Sequence, residues 1–448
     1  MSLPEYQDYK VAKVEGVDKI PSHWELPPMY LRYEVELGKM LDTRRITGES
    51  LMPYLRNIDV QWGHVNFDDL PEMDVELREV DRYTIRSGDL LVCEGGEVGR
   101  AAVVEQVNGS VAFQKALHRL RPVGAEEISK YMFYIFRWAC DSGVFTNNGQ
   151  STIAHLTAEQ LRKYRFPRPP KNEQGTIVDF LDREVAKINA LIAEQKRLLA
   201  LLAEKRQAVI SHVVTRGLDA DVLMKDSGVA WIGEIPSHWK LRPLKCLTQP
   251  DRPIMYGIVL PGPDVGEGVP ILKGGNVKPS RMCLSEMART TPEIEAPYAR
   301  ARLRKGDLVY AIRGTIGDCE IVPAEMEGSN ITQDVARVAV DGANSASWVR
   351  WALLASAVRE ELACGSLGAA VRGVNIYDLK RVRLPVPPKE EQEQIAEHIN
   401  REVEKIDELV AECEKAMNLM REHRSALISA AVTGKIDVRG LVGAKAAA

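Results

Sequence analysis

The residues of this sequence that chemistry would draw on first are its eight histidines, seven cysteines and several glycine-rich turns. None falls in a pattern that supports catalysis. Cys93, Cys140, Cys246, Cys283, Cys319, Cys364 and Cys413 stand singly, with no CxxC pair, which argues against a zinc ribbon or a disulfide framework and fits a reducing compartment. No HExxH metal motif and no GxxxxGK[ST] phosphate loop occurs in the chain. Leu26-Pro27-Pro28-Met29-Tyr30 has the paired prolines but lacks the polar head of a DNA methyltransferase tetrapeptide. The glycine-rich run Glu94–Gly99 matches Arg313–Gly317, and both sit in a strand-turn context rather than ahead of a clear helix. Pro263-Asp264 is followed by Glu267-Gly268 without the lysine that a nuclease site needs. His23 and His238 each precede a tryptophan, where packing is the expected role.

What remains is hydrogen-bonding chemistry of the kind that reads base edges and grips phosphates, carried by Arg, Lys, Asn and Gln in short turns. In the first half of the chain the candidates are Arg56, Asn57, Gln114, Lys115, His118, Gln150 and Ser151. In the second half they are Lys273 and Asn276 of the loop Lys273–Lys278, then Arg313, Thr315, Asn330, Gln333, Arg372 and Asn375. A solvated loop position competes with base contact at each. Gln114 and Gln333 recur in both halves, so a shared scaffold role competes there. A second set is basic: Arg162, Lys163, Arg165 and Lys171 correspond to Lys380, Arg381, Arg383 and Lys389. These are candidates for phosphate contact with salt-dependent affinity; the competing role is a strand edge guarded by charge.

The elements that must position these residues form a repeat. The segment 167–216 aligns without a gap on 385–434, Pro170 falling on Pro388, an offset of 218. Ser87-Gly88-Asp89-Leu90 matches Lys305-Gly306-Asp307-Leu308 at the same offset, and Ile20-Pro21-Ser22-His23-Trp24 recurs as Ile235-Pro236-Ser237-His238-Trp239. Each copy ends in a heptad seam: Leu181, Ile188, Gln195, Leu202 and Val209 with Val185, Ile192, Leu199, Arg206 and Val213, and then Ile399, Ile406, Cys413, Met420 and Leu427 with Val403, Val410, Met417, Arg424 and Ala431. Pro170 and Pro388 stop any helix upstream, and Asn172 is placed to cap the first. Some 40 residues of helix make a rod of roughly 60 Å. Such a seam needs a partner, and the other copy supplies one in an antiparallel coiled coil; the alternative is that each helix packs only on its own domain. Arg206 and Arg424 are expected to set register by pairing with an acid of the other helix, such as Glu402 or Glu184. The repeat is nearly circular, because the His-Trp element missing after the second helix lies at the N-terminus.

The expected architecture is therefore α+β: an N-terminal element at 1–27, a mixed α/β domain at 28–166, a long helix within 167–216, a linker at 217–239, a second domain at 240–384, a second helix within 385–434 and a tail at 435–448. The 448 residues carry a formal net charge of −4, which leaves room for local basic patches but implies that partners supply part of any phosphate contact. The polar N-terminus and the absence of any long apolar run point to a cytoplasmic protein without a membrane span.

The Pro-Pro-x-x-Glu-Gln helix starts (Pro169-Pro170, Glu173-Gln174; Pro387-Pro388, Glu391-Gln392) resemble those of type I restriction–modification specificity subunits. So do the Ile-Pro-Ser-His-Trp elements, the closing Thr433-Gly434-Lys435-Ile436-Asp437, Gly306–Gly317 and Asn330–Asp334. The resemblance covers nearly the whole chain. It implies two target recognition domains, each reading one half of an interrupted, asymmetric site in double-stranded DNA. The helices would set the gap and dock two methyltransferase subunits, which motor-nuclease subunits join. It also implies no catalysis in this chain: S-adenosylmethionine, ATP and magnesium would sit on the partners. Two rivals are a fused methyltransferase or nuclease with drifted motifs, and a coiled-coil adaptor that binds no DNA.

Overall fold

The computed structural model describes residues 3–41, 47–145, 156–230, 232–364 and 373–441. The chain forms two compact units, Met1–Gln195 with Lys415–Ala448, and Lys196–Glu414. Each holds the same pair of sheets. In the first unit the strands Tyr33–Leu37, Leu117–Pro122, Leu90–Cys93 and Ala101–Val103 lie side by side in that order, all antiparallel. In the second, Met255–Tyr256, Val335–Val338, Leu308–Ala311 and Cys319–Ile321 repeat the order. A three-stranded sheet accompanies each: Ala112–Phe113, Leu51–Leu55 and Glu72–Asp74 in one, Asn330–Ile331, Val269–Leu272 and Ala288–Thr290 in the other. The strands Leu90–Cys93 and Leu308–Ala311 are buried at every residue, which is why their sequences are continuous apolar runs without alternation.

The repeated aspartates fasten the turns before those strands. Asp89 accepts the Arg86 amide at 2.7 Å and Asp307 the Arg304 amide at 2.8 Å. Each is also gripped by a two-pronged arginine, Arg121 in the first unit and Arg252 in the second. The turn is kept while its arginine comes from a different element.

Two long helices follow the domains, Lys171–Arg216 and Lys389–Val432. The Pro170 carbonyl accepts the amides of Glu173 and Gln174, and the Pro388 carbonyl that of Gln392. Asn172, expected as the cap, instead lies inside the first turn, where its side chain takes the Glu173 amide at 3.0 Å. The Glu-Gln pair that starts each helix is a clasp. Glu173, with a side chain 5% exposed, accepts from Tyr6 Oη at 2.6 Å and Trp24 Nε1 at 3.0 Å, and its other oxygen meets His23 Nε2 at 2.9 Å. Glu391 takes His238 at 2.9 Å and Trp239 at 3.0 Å in the same way. Gln174 and Gln392 accept the amides of Ile128 and Ser345, which open the first turns of the helices Ser129–Asp141 and Ala346–Leu354. The motif thus ties helix, domain and His-Trp element together.

Both helices end on a glycine in the left-handed region, Gly217 at φ +75° and Gly434 at φ +73°. A Cβ at Gly217 would stand 3.2 Å from the Trp239 ring, and one at Gly434 3.1 Å from Trp24 and 2.4 Å from Pro21. Trp24 comes from the N-terminus and Gly434 from the C-terminal segment, and the Asp437 amide donates to the Pro4 carbonyl at 2.7 Å. The two ends of the chain together build in the first unit what residues 217–239 build in the second.

Within each unit the helices run antiparallel. In the second, Gly217 lies near Glu391 while Arg206 meets Asp407 at 3.5 Å. Leu199, Leu202, Ile406, Val410 and Cys413 pack as a separate apolar cluster between them. Ile210, Val213, Ile399 and Val403 join the domain core beside Trp239, Trp348 and Trp351. Ile399 and Val403 thus pack on the domain that precedes their helix, Ile210 and Val213 on the one that follows theirs, and helix pairing and domain packing coexist along the second unit's helices.

The expected acids were wrong in both places. Arg206 pairs with Asp407, not Glu402, whose carboxylate is taken by Lys405. Arg424 donates to Asn189 Oδ1 at 2.6 Å, while Glu184 is held by Arg183 and Lys187. In the antiparallel pair each of those acids stands more than one turn from the residue that faces the arginine. The Arg206–Asp407 pair is 42% and 54% exposed, so solvent screening limits it. A double-mutant cycle with Arg206→Ala and Asp407→Ala is expected to give a coupling of at most about 1 kcal/mol in urea unfolding.

Candidate nucleic-acid interface

In the second unit four separated pieces of sequence converge at the end of the strand Leu308–Ala311. The amides of Ile312 and Arg313 donate to the Asp334 carbonyl, and the Val374 amide donates to the Ile312 carbonyl at 2.8 Å. Thr315 Oγ1 donates to the Gly274 carbonyl at 3.0 Å, and a Cβ at Gly274 would stand 2.9 Å from the Arg313 carbonyl oxygen. The cluster thus gathers Lys273, Asn276, Arg313, Thr315, Gln333 and Asn375 from the sequence candidates. Lys273, Lys278, Arg281 and Arg313 are exposed around it, and none has an ion pair among the described residues. Asn276 Oδ1 accepts the Lys273 amide at 3.2 Å, and Asn375 Oδ1 accepts the Tyr377 amide at 2.9 Å. Arg281, whose Nη1 reaches the Gly275 carbonyl at 3.3 Å, escaped the sequence reading because it has no counterpart in the first copy.

The first unit assembles the same loops with different wiring. The Leu156 amide donates to the Glu94 carbonyl at 3.0 Å, as Val374 does to Ile312. Asp59 occupies the role of Asn276 and carries a charge: it accepts the Arg56 amide at 2.7 Å and grips the Arg56 guanidinium at 2.9 and 2.8 Å. Asn57 Nδ2 donates to the Gly95 carbonyl at 3.1 Å, and its oxygen accepts from Arg100 at 2.8 Å. Gln114 is half-buried, its amide bonded to the Leu55 carbonyl at 3.0 Å, and Lys115 is exposed. The second unit presents cations without an ion pair among the described residues; the first presents Lys115 beside an arginine and an amide already engaged.

The glycine-rich run Glu94–Gly99 joins strands Leu90–Cys93 and Ala101–Val103, and its match joins Leu308–Ala311 and Cys319–Ile321. Both are strand-to-strand turns. Burial pushes the thiols of Cys140 and Cys319 up to about 12, so neither is a thiolate at neutral pH.

Comparison with known proteins identifies the family of the two repeated domains. A family model described as the type I restriction modification DNA specificity domain matches the chain twice, over residues 49–200 and 266–412. The chain belongs to this family. It is 26% identical over 322 residues to the type I restriction enzyme EcoBI specificity subunit of Escherichia coli, covering 71% of this chain and 68% of that one. It is 22% identical over 447 residues to a putative type I restriction enzyme MjaX specificity subunit of Methanocaldococcus jannaschii, covering 97% and 98%. Among solved structures, the HsdS subunit from Thermoanaerobacter tengcongensis shares the fold at a TM-score of 0.54 and 15% identity, over 95% of this chain and 100% of that one. A chain from a type I restriction–modification system, solved for its complex assembly and conformational transition, does so at 0.64 and 15%, over 92% and 98%.

In this specificity subunit two sequence candidates face inward. His118 is fully buried, its Nε2 2.6 Å from the Leu156 carbonyl, and burial lowers its pKa. Asn330 is fully buried, donating to Glu295 at 2.8 Å and the Tyr298 carbonyl at 3.1 Å. Both brace the loops and cannot reach a base edge from there. Gln150, Ser151 and Arg372 lie outside the described residues.

The basic set is divided. Arg162 donates to the Val35 carbonyl at 2.6 Å, Arg165 to the Leu26 carbonyl at 2.8 Å and Lys389 to the Gly342 carbonyl at 2.9 Å. Lys163 pairs with Glu159 at 2.6 Å, and Arg381 stacks 4.8 Å from the Tyr377 ring centre. Lys171 and Arg383 are exposed and Lys380 half-buried, with no ion pair among the described residues. No helix of the described residues is long and apolar enough to cross a membrane.

Proposed function

We propose that each unit of this specificity subunit reads one half of a split, asymmetric site in double-stranded DNA, through the loops at the end of its buried central strand. The observation that carries this reading is the combination of one topology with two loop chemistries: Lys273, Asn276 and Arg313 on one side, Arg56–Asp59, Asn57 and Lys115 on the other. A common frame with divergent donors suits two readers of different sequences, since base discrimination rests on the donor and acceptor pattern offered to the groove. An adaptor has no use for that divergence. The long helices set the gap between half-sites and offer the docking surface for two methyltransferase subunits, with motor-nuclease subunits joining them. S-adenosylmethionine, ATP and magnesium act on those partners, and this chain contributes recognition without catalysis.

Methylation mapping tests the reading. The chain is expressed with the methyltransferase subunit encoded beside it, and modified bases are read across a genome by single-molecule sequencing. The expected result is an interrupted, non-palindromic motif with one modified base per half, on opposite strands. Exchanging residues 28–166 for those of a relative should change one half only. A stable complex that modifies no DNA would leave the adaptor reading in possession; methylation by the isolated chain would restore the enzyme reading.

A further inference from the structure

The second unit contains a cationic cleft that the recognition loops do not explain. It has a volume of about 550 Å³ and lies at the start of the strand Leu308–Ala311, the opposite end from Arg313. Five arginines line it, Arg252, Arg300, Arg302, Arg304 and Arg337, against two acids, Asp251 and Glu327. Arg252 is committed to Asp307 and Arg302 to Glu295. Arg300 and Arg304 are exposed and have no ion pair among the described residues. Arg337 is 1% exposed; its terminal nitrogens donate to the carbonyls of Arg300 and Pro253, and its Nε has no partner among the described residues.

The first unit shows what this arrangement lacks. Arg82, Arg86 and Arg119 match Arg300, Arg304 and Arg337 at the offset of 218. Arg119 Nε likewise has no partner among the described residues. There, however, a carboxylate answers each arginine: Glu36 for Arg82, Asp81 for Arg86 and Glu34 for Arg119. The sheet register sets Glu36 opposite Arg119 and Met255 opposite Arg337, so Glu34 and Glu36 fall on Pro253 and Met255. Asp81 falls on Ala299. The three arginines are kept in the second unit and all three acids are gone.

Arginine stays charged at any ordinary pH, and its planar fork matches phosphate oxygens two at a time. We propose that this cleft is an anion site for a phosphate group, held by Arg300 and Arg304 at its mouth, with Arg337 at its base. The phosphate can belong to the DNA backbone or to a free phosphoester. The anion site itself does not depend on which loops read bases.

Calorimetric titration of the full chain with pyrophosphate, alongside fluorescence anisotropy with a duplex carrying the mapped site, tests the proposal. The probe variant is Arg300→Ala with Arg304→Ala; Arg304→Ala alone replaces it if the double variant loses its melting transition. The control is Arg82→Ala with Arg86→Ala. Saturable pyrophosphate binding, weakened at least tenfold by the probe variant and untouched by the control, is the expected result. If duplex affinity also falls tenfold, or falls without any pyrophosphate binding, the phosphate is that of the DNA backbone; if duplex affinity holds, it belongs to a free ligand. No pyrophosphate binding with an unchanged duplex affinity overturns the site, as does an equal loss in the control.

Discussion

Replacing Glu173 by alanine is expected to destabilise the first unit by about 3–5 kcal/mol, the largest stability effect of any single change in the repeated motifs. Glu173 is the acceptor for two donors that have nowhere else to turn. Trp24 is fully buried and Tyr6 is 5% exposed, so removing the carboxylate orphans an indole N–H and a phenol O–H away from water. Each costs about 1–3 kcal/mol, and His23 loses its partner as well. Glu391 faces a lighter burden. Its side chain is 27% exposed, its histidine is 46% exposed, and among the described residues no tyrosine joins it. Glu391→Ala is therefore expected to cost about 1–2 kcal/mol in the second unit. Urea unfolding with amide exchange read over Tyr9–Pro21 and Glu234–Pro236 separates the two. Equal losses at the two sites, or a loss below about 1 kcal/mol for Glu173→Ala, would count against the clasp as the device that joins the chain ends to the helix.

The clasp also shows what was legible in the sequence and what was not. The repeat at 218 announced two like units and two like helices, because heptads and a shared Pro-Pro-Lys-x-Glu-Gln helix start are local patterns. That Glu173 and Glu391 bind the histidine and tryptophan of a distant element was not legible, since each bond spans about 150 residues of chain. The heptad seam was legible despite its polar interruptions, and Leu202, Ile406 and Cys413 are buried together. The partners of the two seam arginines were not, because spacing along one helix carries no information on the stagger of the other. Loop candidates fared by burial. Lys273 and Arg313 are exposed, whereas Asn330 and His118 are buried. Composition cannot distinguish an asparagine that braces a turn from one that greets a ligand. Arg300 and Arg304 were overlooked for the opposite reason. Their repeats Arg82 and Arg86 form ordinary ion pairs, and only the missing acids, visible through sheet register, set the second copy apart.

The second large effect concerns Lys273 and Arg313. Both are exposed, flank the hydrogen bond from the Thr315 hydroxyl to the Gly274 carbonyl, and make no ion pair among the described residues. Alanine at both should leave the melting temperature unchanged and weaken binding to the target duplex by about a hundredfold or more, since a good base-edge contact is worth roughly 1–3 kcal/mol. Salt dependence then tells the roles apart. A side chain on a phosphate adds about 0.9 to the slope of log affinity against log salt, so its loss flattens that slope and weakens all sequences alike. A side chain on a base edge leaves the slope in place and erases preference within one half-site. Arg56→Ala is the matched comparison in the first unit: Asp59 already holds that guanidinium at both ends of its fork, so its removal should cost tenfold or less. Electrophoretic binding assays at several salt concentrations, with duplexes altered in one half at a time, would measure all three. If Arg56→Ala proved as damaging as the double change, the ion pair with Asp59 must open on DNA. Recognition in the first unit would then pass through a rearranged loop rather than the one described here.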